Sequence, residues 1–391
     1  MKSVRAAELR LSLPGLLLAA LGFLALLAPF MTLAANRIVA GEGLTAWHLA
    51  GPDVTLPGLI AIVSGLILGL FAAWPKARLI GATLGLAGIV WLLSQSASPL
   101  LEGAGEYARV SPGLGFWCLL AVLMLVMADA ITSLSPGPRT RIALLASMLG
   151  LLAIVLGTGL LSDLSIMQEY ASRKDAFHAA ALRHLTLAFG SLASATAIGI
   201  PLGILCYHGP RLRKIALPVL SFLQTIPSLA MFGIMIPLLG WVANSYPAAK
   251  AMGIAGVGFA PAFLALLLYS LLPVVANMVA GLQSTPEKAR DAARGMGMTT
   301  WQLLMRVELP LGLPVILAGL RIALVQNIGL AVIAGLIGGG GFGTFVFQGL
   351  NQTATDLILL GALPTVALAL TAAILMDVLV ELTNPTPRKA S

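Results

Sequence analysis

Apolar runs of about twenty residues dominate the sequence, and short polar segments that hold most of the charged residues separate them. A helix needs about 20 apolar residues to cross the hydrocarbon core of a membrane. We therefore predict ten membrane-spanning helices, at residues 11–33, 56–74, 78–97, 114–133, 141–161, 184–207, 214–239, 257–282, 311–336 and 355–382. The predicted fold class is an all-α polytopic membrane protein.

The distribution of Lys and Arg predicts the orientation of these helices, because cytoplasmic loops keep these residues and translocated loops do not. With the N-terminus inside, the inner segments hold sixteen of them and the outer segments hold six. The inner set includes residues near both ends of the chain, namely Lys2, Arg5, Arg10, Arg388 and Lys389. We therefore expect both termini to lie in the cytoplasm.

Composition agrees with a membrane protein and excludes several function classes. Hydrophobic residues make up 59% of the chain and charged residues 10%, with a mean hydropathy of +0.97, whereas about one quarter of a soluble protein is charged. The net charge of +8 lies in segments between apolar runs, which indicates a lipid partner and no nucleic acid. Cys118 and Cys206 lie inside apolar runs and the four histidines are scattered, so we predict no disulfide, metal site or catalytic residue.

A polar segment of mixed charge at residues 162–183 divides the chain. It is predicted to connect two halves on the periplasmic side of the membrane. Residues 1–161 form an N-terminal region of five plain aliphatic spans, whereas residues 184–391 hold five spans with nearly all the Pro and Gly motifs. We therefore expect the function to reside in the second half.

The largest inner segment, residues 284–310, predicts two short helices rather than a slack loop. Thr285 can cap the first helix with Pro286 at its first position, and Ser284 with Glu287 has the spacing of a capping box. Glu287 also lies near the positive end of the helix dipole. The first helix is thus predicted to begin at Pro286.

The second half of this segment continues the pattern. Gly295 and Gly297 are expected to end the first helix. Thr299 with Gln302 repeats the capping spacing, and Pro310 is expected to stop the second helix. A compact helical knob of this kind indicates a docking element, the alternative being an ordinary pair of surface helices between two spans.

The same segment carries a spaced motif. It reads Asp291-Ala292-Ala293, three residues, Gly297, nine residues, and then Val307-Glu308-Leu309-Pro310. This run resembles the EAA loop of binding-protein-dependent ABC permeases, whose pattern is E-A-A, three residues, G, nine residues, I-x-L-P. The spacing matches throughout, with Asp291 in place of Glu and Val307 in place of Ile.

The resemblance implies that this segment is the coupling helix, which in the family sits in a groove of the ATPase subunit and transmits its closure to the spans. Ala292 and Ala293 would permit close approach, and Gly297 would supply a sharp turn. The residues implied to couple the chain to the ATPase subunit are Glu287, Asp291, Ala292, Ala293, Gly297, Leu309 and Pro310.

Two further stretches, residues 224–240 and 337–350, resemble stretches that are typical of osmoprotectant permeases. This group handles glycine betaine, choline and related compounds. The layout of the chain is similar to the YehY-type permease of that group. The resemblance implies that the C-terminal five spans form a type I ABC importer (MetI-like) core in a bacterial inner membrane. It also implies a cytoplasmic ATP-binding subunit, a second permease subunit that is either a different chain or a second copy, and a periplasmic substrate-binding protein.

On this interpretation the chain is not an enzyme and binds no cofactor, because the partner subunit uses ATP and Mg. A secondary transporter driven by an ion gradient is the alternative, and it would call for intramembrane acidic residues and inverted repeats. A membrane-bound enzyme or scaffold would call for polar catalytic clusters or large soluble domains. The segment at residues 284–310 favours the importer over both.

Prolines in the second half point to a translocation path. Thr225, Pro227 and Ser228 lie in the middle of a predicted span, where Pro227 removes a backbone donor. Such a break is tolerated only when it is buried in protein or lines a cavity, so these three residues are path candidates, the alternative being a mere kink. Further interruptions of spans are expected at Pro201, Pro237, Pro273 and Pro364.

A glycine-rich run that includes Gly338, Gly339 and Gly341 lies at the outer end of a span. No Lys and Ser/Thr pair follows it, so a phosphate-binding loop is excluded. A tight re-entrant turn or gate loop is predicted instead.

Arg321 lies near the middle of its span, where a charge costs at least about 2.5–3.5 kcal/mol on insertion scales. Two roles are open for it: a gate or subunit-contact residue, or a structural residue that donates hydrogen bonds to backbone carbonyls. Asp129 and Asp377 lie near the inner ends of spans and are expected to be hydrated.

Overall fold

The computed structural model describes residues 12–37, 39–71 and 74–384, and within these ranges the chain forms two compact units. The first unit contains the described residues up to Thr140 together with Ala146–Ser172. The second contains Arg141–Leu145 and the described residues from Arg173 onward. Several cations behind the predicted orientation lie outside the described residues, namely Lys2, Arg5, Arg10, Arg388 and Lys389.

The first unit combines helices with a small sheet. Three of its helices begin with proline, whose missing N–H is not needed in the first turn of a helix. The described elements are α1 (Leu13–Leu26), β1 (Met31–Ala34), β2 (Glu42–Leu44), a 3-10 turn (Ala46–His48), α2 (Pro52–Gly69), α3 (Pro75–Leu101), β3 (Arg109–Pro112), α4 (Leu114–Leu134), α5 (Pro138–Gly157) and α6 (Ser165–Ser172).

The sheet corrects the first predicted span, residues 11–33. The described helix α1 ends at Leu26, and β1 follows as the central strand, paired antiparallel with β2 and β3. Phe30 and Met31 are buried in a core formed with residues of α2, α3 and α4. The apolar character at the end of this run therefore comes from burial inside the protein and not from contact with lipid.

An ion pair between a buried arginine and a partly exposed aspartate joins α3 to α4. Arg78 is only 4% exposed, and its guanidinium pairs with Asp129 and donates to the Ser133 hydroxyl at 2.7 Å. A buried charge is tolerated when it is paired and hydrogen-bonded. Asp129 therefore balances a buried cation, and the expectation that it is simply hydrated is wrong.

The second unit, after Arg141–Leu145, is helical throughout its described length. Its elements are α7 (Lys174–Leu185), a π-helical turn (Thr186–Gly190), α8 (Ser191–His208), α9 (Pro210–Thr225), α10 (Ser228–Ser245), α11 (Pro247–Ala251), α12 (Phe259–Gln283), α13 (Glu287–Gly295), α14 (Thr300–Leu303), a π-helical turn (Leu304–Glu308), α15 (Leu309–Leu330), a 3-10 turn (Ile333–Ile337), α16 (Gly343–Asn351) and α17 (Thr355–Thr383). The π-helical turns do not interrupt the helices, so Lys174–His208 and Thr300–Leu330 are continuous runs of 35 and 31 residues.

Helix α12 packs against both α8 and α15, and glycines bring the helices close together. A Cβ atom at Gly203 of α8 would lie 2.6 Å from the Cβ of Met278. A Cβ atom at Gly281 of α12 would lie 2.8 Å from the carbonyl oxygen of Gly312 on α15. Small residues at such contacts let membrane helices gain van der Waals packing, because lipid gives little hydrophobic drive for helix association.

Nine helical runs within the described residues are long and apolar enough to cross a membrane. They correspond to nine of the ten predicted spans, and α1, with 14 described residues, corresponds to the first. The predicted fold class of an all-α polytopic membrane protein is confirmed. The small sheet of the first unit was not predicted.

Prolines act differently from place to place. The predicted span at residues 214–239 is broken at Pro227, because α9 ends at Thr225 and α10 begins at Ser228. The predictions of further interruptions are wrong, because a helix runs through each of the four prolines concerned: Pro201, Pro237, Pro273 and Pro364. A carbonyl that proline frees in a membrane helix can be satisfied by a neighbouring helix, so the helix need not end.

Candidate functional site

The segment at residues 284–310 forms the two predicted helices, α13 and α14. Gly297 follows α13 with φ of +75°, a left-handed conformation that glycine adopts without steric cost. Thr299 then caps α14 in the predicted capping box: the Gln302 N–H donates to the Thr299 hydroxyl at 3.3 Å, and the Thr299 N–H donates to Gln302 Oε1 at 2.9 Å. Backbone geometry and capping together hold the sharp turn between the two helices.

The predicted cap of the first helix is wrong. Pro286 is the N-cap of α13, no side chain caps the helix, and Glu287 is its first residue. Thr285 is 3% exposed, and its hydroxyl donates to the backbone carbonyl of Glu308 at 3.4 Å. The hydroxyl is thus used between helices, and the exposed Glu287 carboxylate stabilises the N-terminus through the helix dipole.

Pro310 does not stop the second helix, contrary to prediction. The π-helical turn Leu304–Glu308 lies directly before it, and the Leu309 N–H donates to the Leu304 carbonyl, five residues back. This wider turn gives the proline ring space, so the helix passes through Pro310 although the proline nitrogen donates no hydrogen bond. The segment at residues 284–310 therefore continues into α15 without a break.

The surface of this segment carries both charged and apolar side chains. Asp291 and Arg294 form an ion pair at 3.5 Å, with each side chain 64% exposed, so it adds little stability. Met296 and Trp301 are 71% and 65% exposed. Methionine and aromatic residues are enriched in protein contact surfaces, so this surface suits a protein partner. Of the two predicted small contact residues, Ala292 is exposed and Ala293 is buried.

A buried carboxylate under α13 was missed in the sequence. Glu308 is 3% exposed, accepts a hydrogen bond from the Tyr207 hydroxyl at 2.7 Å, and lies 3.4 Å from Arg290 Nε. It occupies the variable position of the I-x-L-P pattern, which is why the pattern gave it no role. Its signal was an acidic residue two positions before Pro310, at the edge of a long apolar run.

The break between α9 and α10 is held to α12 by two reciprocal hydrogen bonds. Pro273 lacks an N–H, so the Tyr269 carbonyl has no helical partner, and Gln224 Nε2 donates to it at 2.6 Å. In return the Tyr269 hydroxyl donates at 2.5 Å to the carbonyl of Ile226, which lies in the break. At each of the two prolines, a carbonyl without a helical partner therefore accepts a hydrogen bond from a side chain of the other helix.

The three path candidates at this break have different surroundings. Thr225 is exposed, and its hydroxyl donates to the Phe222 carbonyl of its own helix at 2.7 Å. Pro227 is the N-cap of α10, and its carbonyl accepts from Met231 N–H at 2.9 Å. Ser228 is the first residue of α10 and is half-buried. The carbonyls of Ile226 and Pro227 at the break thus both have partners within the protein.

Arg321 has a carboxylate partner. One of its two predicted roles, a structural residue, assumed hydrogen bonds to backbone carbonyls instead. Its guanidinium pairs with Asp377 of α17. The second Asp377 oxygen lies 2.9 Å from Arg141, which is 3.4 Å from Glu381. Asp377 therefore bridges two cations, and the expectation that it is only hydrated is wrong.

The glycine run forms a tight turn between the 3-10 turn and α16. Gly338 and Gly341 have φ of +74° and +81°, and Gly339 is buried. The Gly258 N–H at the start of α12 donates to the Ile337 carbonyl at 2.9 Å, which fixes the turn to that helix. The path candidates thus lie on three elements: the α9–α10 break, α15 and this turn.

Comparison with known proteins assigns the chain to a family. Residues 199–389 match the model described as binding-protein-dependent transport system inner membrane component, and residues 10–167 match the one described as ABC transporter permease YehY, N-terminal domain. The osmoprotectant import permease protein OsmW of Salmonella typhimurium is 41% identical over 188 residues, which are 48% of this chain and 82% of OsmW. The chain belongs to the binding-protein-dependent ABC permeases.

Other ABC transport proteins are similar to about half of this ABC permease. The glycine betaine/carnitine/choline transport system permease protein OpuCD of Bacillus subtilis is 38% identical over 208 residues, which are 53% of this chain and 84% of OpuCD. A solved inward-facing structure of the MetNI methionine ABC transporter covers 55% of this chain and 98% of that one, at 21% identity and a TM-score of 0.47.

Membership of this family confirms the predicted function as a permease subunit of an ABC importer. The resemblance to YehY-type permeases is also confirmed, because residues 10–167 match the model of the YehY N-terminal domain. The alternative of a secondary, ion-gradient-driven transporter is excluded by the same finding.

Proposed function

We propose that this ABC permease forms the membrane path of an importer for glycine betaine, choline, carnitine or a related osmoprotectant. The substrate class is supported by the similarity to OsmW and OpuCD. The observation that carries the ATP-driven mechanism is the rigid pair α13 and α14, which turns sharply at Gly297 and presents Met296 and Trp301 at its surface.

The partner at this surface is a separate ATP-binding subunit. Its groove receives α13, with Glu287 and Asp291 on the exposed side of the helix and Ala293 on the buried side. Leu309 and Pro310 carry the displacement into α15, because the helix is continuous there. ATP and Mg act on that subunit, and this chain contributes no catalytic residue and binds no cofactor.

A second permease subunit, either a copy of this chain or a related one, completes the path. Arg321 and Asp377 have side chains that are 39% and 44% exposed in the single chain. Charges in a span do not face lipid without a large cost. Their exposed surface therefore faces the partner permease or the aqueous path, which also takes in Thr225, Pro227 and Ser228. A periplasmic binding protein delivers the substrate.

The permease lies in the bacterial inner membrane with both termini in the cytoplasm. This orientation places Tyr107, which is 74% exposed, in the periplasm and Met296, which is 71% exposed, in the cytoplasm. In a background with Cys118 and Cys206 replaced by Ala, we expect a membrane-impermeant thiol reagent to label Tyr107→Cys in intact spheroplasts. Met296→Cys should react only after permeabilisation, and the reverse pattern would invert the assigned topology.

Two glycines beside the coupling helix provide a matched test of coupling. Gly295 and Gly297 both have open space for a Cβ atom, but only Gly297 has a positive φ. We expect Gly297→Val and Asp291→Lys to insert normally yet to lower uptake and recovery of the ATP-binding subunit. Gly295→Ala should behave as wild type. The measurement is co-purification from host membranes with mass spectrometry, followed by uptake in proteoliposomes.

The same preparation tests the substrate class. Wild-type complex with its binding protein should accumulate radiolabelled glycine betaine or choline only when ATP is enclosed, and unlabelled methionine should not compete. Recovery of the chain without any ATP-binding subunit, with uptake that survives ATP depletion, would refute the proposed mechanism. Competition by methionine would refute the substrate class alone.

A further inference from the structure

A carboxylate is buried where the coupling segment enters the membrane core. Glu308 lies in the π-helical turn that precedes α15, and its side chain is 4% exposed. An ionised carboxylate without partners is expensive to bury. Tyr207 of α8 supplies one partner by donating its hydroxyl to Glu308 Oε1 at 2.7 Å. The carboxylate therefore joins α8 to the start of α15.

The second partner of this carboxylate comes from the coupling helix. Arg290 of α13 lies with Nε 3.4 Å from Glu308 Oε1. Its Nη2 donates to the carbonyls of Leu282 and Gln283, both at 3.1 Å, at the C-terminal end of α12. A cation is stabilised at the C-terminus of a helix by the helix dipole. One guanidinium thus ties α13 to the end of α12 and to the start of α15.

The contact between Arg290 and Glu308 is loose. Arg290 Nε is buried and makes no hydrogen bond. Its distance to Glu308 exceeds the roughly 2.7–2.9 Å of a charge-assisted hydrogen bond. A displacement of α13 that shortened this distance and aligned the N–H with Glu308 would complete that bond and satisfy a buried donor, which is costly to leave unpaired. The pair is therefore poised to tighten when α13 moves.

We propose that Glu308, Arg290 and Tyr207 form an internal linkage that converts displacement of α13 into displacement of α8, α12 and α15. The proposal rests on the proposed function, in which an ATP-binding subunit moves α13. The three are positioning residues, because none of them is assigned to contact substrate or nucleotide. The exposed pair of Asp291 and Arg294 on the same helix cannot do this, since both side chains are mostly in solvent.

Glu308→Gln is the decisive variant. Glutamine keeps the shape and can still accept from Tyr207, but it loses the charge that attracts Arg290. In proteoliposomes that contain the whole complex and substrate-loaded binding protein, we expect normal assembly and an unchanged basal ATPase rate. Substrate taken up per ATP hydrolysed should fall by about fivefold or more, the range of a typical coupling free energy. Arg306→Gln removes an exposed charge two residues away and serves as control.

A double-mutant cycle separates linkage from simple stability. If the residues act as one unit, Arg290→Gln added to Glu308→Gln should cause little further loss of uptake per ATP. Tyr207→Phe removes only a hydroxyl, and it should lower the same ratio less than Glu308→Gln does.

Two outcomes would overturn the proposal. One is an unchanged ratio of uptake to ATP in both Glu308→Gln and Tyr207→Phe. The other is that less ATP-binding subunit is recovered, while the complexes that do form take up as much substrate per ATP hydrolysed as wild type. The cluster would then only stabilise the fold. Failure of the proposed function itself would appear earlier and separately, as absence of an ATP-binding subunit from the wild-type preparation.

Discussion

Asp377→Ala is expected to remove most of the folded permease from the membrane. Asp377 bridges Arg321 and Arg141, so its loss leaves Arg321 without its carboxylate and Arg141 with Glu381 alone. An unpaired arginine at the centre of a span costs roughly 2.5–3.5 kcal/mol on insertion scales. The measurement is the amount and melting temperature of a fluorescent fusion, followed by size-exclusion chromatography in detergent.

Two companion variants show whether charge balance is the cause. Asp377→Glu keeps the charge and should retain most of the folded protein. Arg321→Leu combined with Asp377→Ala removes the cation that lost its carboxylate and should recover part of the loss, because Arg141 is still close to Glu381. If Asp377→Ala alone melts like wild type, the network has no structural importance.

Gly312→Leu is expected to separate α12 from α15 and to abolish uptake. A Cβ atom at Gly312 would overlap the carbonyl oxygen of Gly281 and lie 2.6 Å from its carbonyl carbon. Backbone atoms cannot move aside as a flexible side chain can, so the helices must part. Overpacking of a tight contact costs about 1–3 kcal/mol and sometimes more, and α13 and α14 lie between these two helices in the sequence.

A second glycine on α15 supplies the matched control. Gly329 has nothing within 4 Å of a Cβ atom. Glycine in a helix is less favourable than alanine by about 1 kcal/mol, so Gly329→Ala should be neutral or slightly stabilising. Gly312→Ala should instead lower the melting temperature, and equal effects of the two alanine variants would contradict the close helix contact.

The spans could be predicted because a lipid environment rules out most backbone structures other than a helix. Without water in the bilayer core, each backbone group must be satisfied within the segment, so a long apolar run becomes a helix. The predicted span at residues 11–33 was too long, because hydropathy does not distinguish contact with lipid from burial in protein. Met31 is apolar and fully buried, yet it lies in a strand.

The effects of prolines depended on neighbours that the sequence does not reveal. The helix breaks at Pro227 but continues through Pro273, where Gln224 of another helix satisfies the freed carbonyl. Pro310 also continues a helix, because a π-helical turn before it makes space for the ring. Local chemistry marks a place where a helix can break, and tertiary contacts decide whether it does.

The turn and the second cap of residues 284–310 could be predicted because the sequence patterns that indicate them are local. The turn at Gly297 and the cap at Thr299 depend on residues within a few positions of each other. Glu308 was missed because its partners Arg290 and Tyr207 lie 18 and 101 positions away. Burial of a charge is a property of the folded chain, and no local pattern shows it.

The unbroken helix from Thr300 to Leu330 also has mechanical leverage. At 1.5 Å per residue it is a rod about 46 Å long. Gly312, where its backbone meets that of α12, lies about 18 Å from the start of this rod at Thr300 and about 27 Å from its end at Leu330. A rod that pivoted at Gly312 would move its Leu330 end about one and a half times as far as its Thr300 end, in the opposite direction. If the ATP-binding subunit moves residues 284–310 as proposed, such a pivot would amplify that movement at the Leu330 end of α15.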